Sequence, residues 1–370
     1  MVKRRLLHVL APARYGGLER VVHSLVTAQH GRGDAVFVAT LIERDAPEPD
    51  LLSQLRECGA QVIPINLPSR AYGARLLALR EVCSNVRADV IHSHGYVADV
   101  FLAVSRGGIP SPVLTTVHGF TGGSRKNRAY EWLQRRAFRR LDAIVAVSTK
   151  LGTELKRDGV CAGRIHVIPN ACPAERDPMS QVAARSLLAI PEGLFSIGWL
   201  GRVSYEKGLD VLIDALSRLH SMDWRLTVVG DGKERVELEE SARRLGIADR
   251  IVWRGAVANA AELLRAFDVL VMSSRTEGTP MTLFEGMSSC VPVVTTAVGG
   301  IPDVVTCAEA LLVPSEDAGA LAVAIQCVQQ NPHAATERAS RAHVRLRRDF
   351  AMNPFLARYD RVYDAIRTRV

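Results

Sequence analysis

Short apolar runs, each closed by glycine, proline or a polar cluster, alternate along this chain with segments whose apolar residues recur every three or four positions. The runs at 6–10, 36–41, 62–65, 90–93, 113–117, 143–148 and 165–168 predict strands in the first half. Those at 195–200, 225–229, 250–253, 267–272, 292–295 and 310–313 predict strands in the second. Helical spacing fills the intervals: Val21, Val22, Leu25 and Val26; the stretch 75–86; Val211, Leu212, Ala215 and Leu216; a short helix at 260–267; and a helix from about Asp317. A tail at 353–370 spaces Phe355, Tyr359, Val362 and Ile366 as one face of a final helix. Strands and helices taking turns in this way call for parallel, doubly wound α/β sheets.

At 370 residues the chain is too long for one typical core. The Pro- and polar-rich run 173–180 reads as a linker, which places one domain at 1–175, a second at 176–350 and the tail helix at 351–370. Lys3, Arg4 and Arg5 ahead of an apolar run imitate a signal peptide. His8 interrupts that run and Gly16-Gly17 soon follow, so it is read as a buried first strand. No run approaches the ~18 apolar residues of a membrane span.

Composition (48% hydrophobic, 23% charged) is that of an ordinary globular protein. Seven scattered cysteines without a C-x-x-C pair argue against a disulfide framework or zinc site and fit a reducing compartment, hence a cytoplasmic location. Charge is uneven. Residues 1–170 hold 24 Lys and Arg against 14 Asp and Glu, whereas 171–370 hold 23 against 25. The basic half suits an anionic partner or surface. No basic stripe interleaved with aromatics points to nucleic acid. The basic segment 125–140 sets Tyr130, Leu133, Ala137 and Leu141 on one helical stripe, with its arginines largely outside it. That is a solvated face or a surface for anionic lipid head groups at the inner side of a membrane.

Candidate chemistry collects where strands end, the place open α/β sheets bind ligands. After 267–272 comes Glu277-Gly278-Thr279-Pro280, then a helix carrying Glu285. Thr279 is the expected N-cap and Pro280 the first helical residue, so helix amides would face a phosphate while the two carboxylates suit sugar or ribose hydroxyls. After 195–200, Arg202 and Lys207 stand five apart between Gly201 and Gly208, a fork and a point charge fit for a diphosphate. Gly230, the pair Gly16-Gly17 and His118 also occupy strand exits. Taken singly, each has a plain structural reading: a turn, a surface ion, a core histidine, an exposed helical acid.

Jointly the pieces resemble the family 4 retaining glycosyltransferases of GT-B fold. They are Gly16-Gly17-Leu18-Glu19, Thr116-Val117-His118-Gly119, Ala146-Val147-Ser148 and Val167-Ile168-Pro169-Asn170, followed by 201–208, Gly230-Asp231-Gly232, 277–285 and Val298-Gly299-Gly300, in family order. The resemblance implies two Rossmann-like domains facing each other across a cleft, with the last helix crossing back to the first domain. It implies an acceptor-side first domain and a nucleotide-sugar-binding second one. Arg202 and Lys207 then correspond to the pair holding the donor diphosphate, Glu277 to the carboxylate on the donor sugar and Glu285 to that on the ribose. Gly278 and Thr279 correspond to diphosphate-binding amides, Gly230 to a donor-site residue, Gly16 and Gly17 to the loop near the acceptor, and His118 to a residue reaching the donor sugar. The co-substrate would be a UDP- or GDP-sugar and the acceptor a glycan, lipid or small molecule. No metal is needed, in keeping with the lack of a D-x-D or His/Asp cluster beside the cations. Three positions depart from the usual pattern: Gly286-Met287-Ser288-Ser289-Cys290 after Glu285, Ala171 where glycine is common, and Asp303 in place of a glutamate. Competing readings are a nucleotide-sugar 2-epimerase and a non-catalytic nucleotide-sugar-binding protein.

Overall fold

The computed structural model describes residues 3–12, 17–68, 70–119, 125–172, 179–257 and 260–368, with 125–127 as backbone only. Gly16, Phe120 and most of the expected linker lie outside these residues. Two compact units are present: 1–171 together with 352–370, and 172–351.

The first unit holds seven parallel strands: β1 (Arg5–Leu10), β2 (Ala35–Ile42), β3 (Gln61–Asn66), β4 (Val90–His94), β5 (Val113–Val117), β6 (Ala143–Ala146) and β7 (Ile165–Val167). Their order is β3-β2-β1-β4-β5-β6-β7. Every residue of β4, β5 and β6 is buried, as expected of strands covered by helices on both faces. Helices α1 (Gly17–Gly31), α2 (Asp50–Glu57), α3 (Tyr72–Val86), α4 (Tyr96–Ser105), α5 (Arg125–Ala137) and α6 (Thr149–Arg157) supply the crossovers. β6 stops at Ala146, short of the predicted 148, because the Ser148 hydroxyl accepts from the Leu151 N–H at 3.2 Å and caps α6.

The second unit holds six parallel strands: β8 (Phe195–Leu200), β9 (Trp224–Val229), β10 (Ile251–Gly255), β11 (Val269–Met272), β12 (Val293–Thr296) and β13 (Leu311–Val313), in the order β10-β9-β8-β11-β12-β13. Its helices are α7 (Gln181–Leu187), α8 (Leu209–Ser217), α9 (Arg235–Arg244), α10 (Met281–Ser288), α11 (Ile301–Val304), α12 (Ala318–Gln330) and α13 (Pro332–Asp349). Phe267, predicted as the start of β11, lies outside the strand. Its ring sits where a Cβ on Gly198 of β8 would be, 2.2 Å away. A larger residue at 198 would displace the ring from the core.

The chain then returns to the first unit as α14 (Met352–Arg367). Phe355, Tyr359, Val362 and Ile366, the spaced residues of the tail, are all buried against Leu6, Val90, Leu114 and Val145. Arg4 reaches Asp360 at 2.8 Å and Asp364 at 2.9 Å, Arg32 reaches Asp360 at 2.7 Å, and Arg367 reaches Asp89 at 2.9 Å. Apolar burial supplies the adhesion here, and these pairs fix the helix's rotation about its axis.

Candidate active site

In each sheet the strand order reverses direction once, between β1 and β4 and between β8 and β11. Such a switch point leaves a crevice beyond the carboxyl ends of its two strands. In the second unit, β8 runs directly into Gly201-Arg202 and β11 into Ser273-Ser274 and Glu277, so the switch point falls among these candidate residues.

Lys207 ends a 3-10 turn, Tyr205–Lys207, and its ammonium donates to both carboxylate oxygens of Glu277, at 2.7 and 2.9 Å. The Ser274 hydroxyl donates to Oε1 of the same carboxylate at 2.7 Å. The Glu277 side chain is only 6% exposed, against 29% for Lys207. A buried carboxylate therefore holds a half-buried ammonium in a fixed direction. Arg202 is exposed and makes no side-chain hydrogen bond or ion pair among the described residues.

Close backbone packing sets these loops. Gly230 donates its N–H to Gly255 at 2.7 Å, and a Cβ on it would lie 1.8 Å from the Gly201 carbonyl oxygen. Gly230 thus positions the loop that carries Arg202. Gly299, at φ +59°, presses on the Glu277 carbonyl, where a Cβ would come within 1.7 Å, and the Gly300 N–H donates to Gly278 at 2.8 Å. The glycine-rich exit of β12 therefore braces the loop carrying Glu277.

Thr279 is not the cap of α10. Pro280, extended at φ −73° and ψ 128°, takes that position and the helix starts at Met281. Thr279 is buried, and Glu285, 8% exposed, is on the second turn of α10. The departure at Gly286 has a packing reason: a Cβ there would meet Leu270 of β11 at 2.6 Å, so glycine lets α10 lie close on the sheet.

In the first unit, Gly17 opens α1, and a Cβ on it would meet nothing within 4 Å among the described residues. His118 follows β5, half-buried, with a sealed Nε2 that has no partner among the described residues, and burial pushes its pKa down to about 4. Beside it is a group that the sequence did not single out: His8 of β1 with His92 and His94 of β4, fully buried, at the switch point of this sheet.

The hydrogen bonds fix their tautomers. Gln29 Oε1 accepts from His8 Nε2 at 2.8 Å, which leaves His8 Nδ1 to accept from His94 Nε2 at 3.0 Å. Gln29 Nε2 donates to the Tyr363 hydroxyl at 3.1 Å, which donates to His92 Nδ1 at 2.9 Å, and His92 Nε2 donates to Thr116 at 2.7 Å. Thr116 in turn shares a 2.9 Å bond with the Tyr359 hydroxyl. Burial drives the pKa of His8 down to about 4, and those of His92 and His94 well below the usual imidazole value. His94 Nδ1 carries no proton and has no partner among the described residues. The signal was present in the alternation of His92 and His94, which puts both on one face of a strand; the third member and both tyrosines are remote in sequence.

The basic segment keeps Ala137 and Leu141 of the predicted stripe buried and Tyr130 stacked on Tyr96, and departs from the stripe at Leu133. Gln134, Ala137, Phe138 and Leu141 are buried, while Trp132 is 56% exposed and Leu133 42% exposed. The face turned inward is set by Asp99 of α4, fully buried with its pKa raised to about 6 by burial, which accepts from Gln134 at 2.7 Å and from Ser93 at 2.5 Å. Arg135 pairs with Asp158, and Arg136 stacks over Trp132 at 5.0 Å.

Two doubly wound parallel-sheet units of this kind are those of the GT-B fold. Residues 15–176 match the model described as Glycosyltransferase Family 4, and residues 195–331 that described as Glycosyl transferases group 1. The chain belongs to this family. It is 31% identical over 177 residues to the lipopolysaccharide core biosynthesis mannosyltransferase LpsB of Rhizobium meliloti (strain 1021), a match covering 45% of this chain and 49% of that protein. It is 28% identical to the glycogen synthase of Mycobacterium tuberculosis (strain CDC 1551 / Oshkosh), over 92% of this chain and 88% of that one. Among solved structures, Anabaena HepE in complex with UDP and glucose superposes with a TM-score of 0.83 at 20% identity, covering 98% of this chain and 99% of that one. These relatives favour sugar transfer over 2-epimerisation.

Proposed function

We propose that the protein moves a hexosyl group, with retention and without a metal ion, from a UDP- or GDP-sugar to a hydroxyl of a glycan or lipid-linked acceptor. The observation that carries this reading is the Lys207–Glu277 pair with exposed Arg202 on the neighbouring loop, at the switch point of the second sheet. Departure of a nucleoside diphosphate builds negative charge on the outer phosphate. A guanidinium fork and an ammonium already aimed by a buried carboxylate would stabilise that charge without reorganising. Bonding to Glu277 engages two of the three N–H groups of Lys207, so one remains for phosphate. Glu277 already accepts three hydrogen bonds and has roughly one lone-pair site left, enough for one sugar hydroxyl.

In this reading Glu285 accepts from the ribose hydroxyls, the Gly278 and Thr279 amides add to diphosphate binding, and Gly230 holds the Arg202 loop. His118, at the exit of β5, and Gly17, at the start of α1, are the first unit's candidates in this reading. The departing phosphate takes the acceptor proton on the same face, so no separate base is assigned. LpsB, named for lipopolysaccharide core biosynthesis, supports a glycan acceptor at a membrane. No helix among the described residues is long and apolar enough to cross a membrane. Contact with the cytoplasmic face would come from Trp132 and Leu133 beside Arg128, Arg136 and Arg139. The test is release of free nucleoside diphosphate from a panel of UDP-, GDP- and ADP-sugars in the presence of a membrane-glycan extract. Binding without release from any donor would overturn transfer in favour of a binding protein.

A further inference from the structure

Two residues ahead of Glu277 stands a side chain that neither the motif nor the family roles single out. Arg275 is 14% exposed, and its guanidinium is engaged on every nitrogen. Nη1 donates to the Tyr205 carbonyl at 2.6 Å and to Asp210 Oδ1 at 2.9 Å, Nη2 to Asp210 Oδ2 at 2.6 Å, and Nε to Glu316 at 2.5 Å. Its Cζ lies 3.9 Å from the centre of the Tyr205 ring, and its backbone N–H donates to the Glu206 carbonyl at 2.9 Å. The pairing with Asp210 raises its pKa above the usual guanidinium value.

These contacts fall residue by residue on the turn that presents Lys207. Tyr205 is held by its carbonyl and its ring and Glu206 by its carbonyl; the Lys207 carbonyl accepts from Ser273 at 3.3 Å, and its ammonium is bonded to Glu277. We infer that Arg275 is a positioning residue for the proposed diphosphate site, stitching the Tyr205–Lys207 turn to the loop of Glu277 so that Lys207 meets the outer phosphate in a set direction. This rests on the donor reading above. Asp210 and Glu316 are 45% and 58% exposed, and ion pairs to such acids contribute little to stability. The planar fork is what the geometry uses. A lysine at 275 would keep the charge but could not serve the Tyr205 carbonyl, Asp210 and Glu316 together.

Calorimetric titration of the full chain with UDP, GDP and ADP identifies which diphosphate binds. That diphosphate and its monophosphate are then titrated into Arg275→Lys, Asp210→Asn and Tyr205→Leu, with melting temperatures recorded alongside. Arg275→Lys is expected to weaken the diphosphate by about tenfold, as a displaced charged contact does, while monophosphate affinity and melting temperature stay near wild type. Asp210→Asn and Tyr205→Leu alter exposed side chains that leave the core intact, so they should fold and show smaller losses in the same sense. Wild-type diphosphate affinity in all three variants would overturn the inference, as would equal loss of mono- and diphosphate in step with a lower melting temperature. A wild-type protein that binds none of the three nucleotides overturns the donor reading, and the inference with it.

Discussion

At the scale of single residues, Arg202 and Lys207 differ in what their removal would report. Arg202 is exposed and unengaged among the described residues, so Arg202→Ala should leave the melting temperature within about 1 °C, the fold being indifferent to such a surface change, while cutting transfer by about 100-fold. Thermal unfolding beside a diphosphate-release assay checks both halves. Lys207→Ala is less clean, because it strands the nearly buried Glu277 carboxylate with Ser274 as its remaining partner among the described residues. It should lose roughly 1–3 kcal/mol of stability as well as activity, and Lys207→Ala with Glu277→Gln should recover part of the stability but none of the transfer. Glu285→Ala is expected to weaken nucleotide binding by about tenfold in calorimetry; unchanged affinity would remove it from the ribose site. The roles proposed for the charged residues come from the spacing of 201–208 and 277–285. That Lys207 and Glu277 bond each other was not, since 70 positions separate them and only the adjacency of β8 and β11 brings them together.

At the scale of elements, an uninterrupted apolar run has little choice but to be buried on both faces, as β6 is, whereas β4 and β5 are buried with polar residues in them and were legible from their apolar starts and the turn residues that follow. Helix faces were less so. Periodicity put Leu133 inward on α5, whereas the helix turns to satisfy Asp99 through Gln134, a polar demand that an apolar count does not register. The membrane test follows from the observed face. Trp132→Ala with Arg136→Ala and Arg139→Ala should markedly reduce sedimentation with anionic vesicles, while Arg135, already paired with Asp158, should contribute little when replaced. Equal sedimentation of the triple variant and wild type would dismiss a lipid role for α5. The loop after β12 offers a second test. Gly299→Ala places a methyl group on the Glu277 carbonyl, and loss of nucleotide binding with a melting temperature lowered by several degrees is expected.

For the molecule as a whole, acid sensitivity is lodged in one unit. His8, His92, His94 and His118, the described histidines that burial holds neutral, all lie in the first. For each, the unfolded state binds a proton more tightly than the folded one. The stability they allow is complete above the unfolded pKa of 6.5 and drains away as pH falls toward the folded value, about 4 for His8. That interval corresponds to about 3 kcal/mol for His8. Asp99 opposes the trend: burial lifts its folded pKa to about 6 from the ordinary 3.8, so its contribution is full in acid and is lost as pH rises. Four histidines outweigh one aspartate. Urea unfolding followed by hydrogen exchange at pH 7.5 and pH 5 should show protection in β1, β4 and β5 falling far more than in β8, β9 and β11. A uniform loss across both sheets would contradict this.

The placement of α14 has a consequence for synthesis. Residues 172–351 form their unit from one uninterrupted stretch, but the first unit needs 352–367 to cover Leu6, Val90 and Leu114 and to give His92 its tyrosine partner. On the ribosome, where amino-terminal domains ordinarily finish first, this chain must complete its parts in reverse. The first unit's strands wait, with an apolar sheet face uncovered, until α14 has left the exit tunnel.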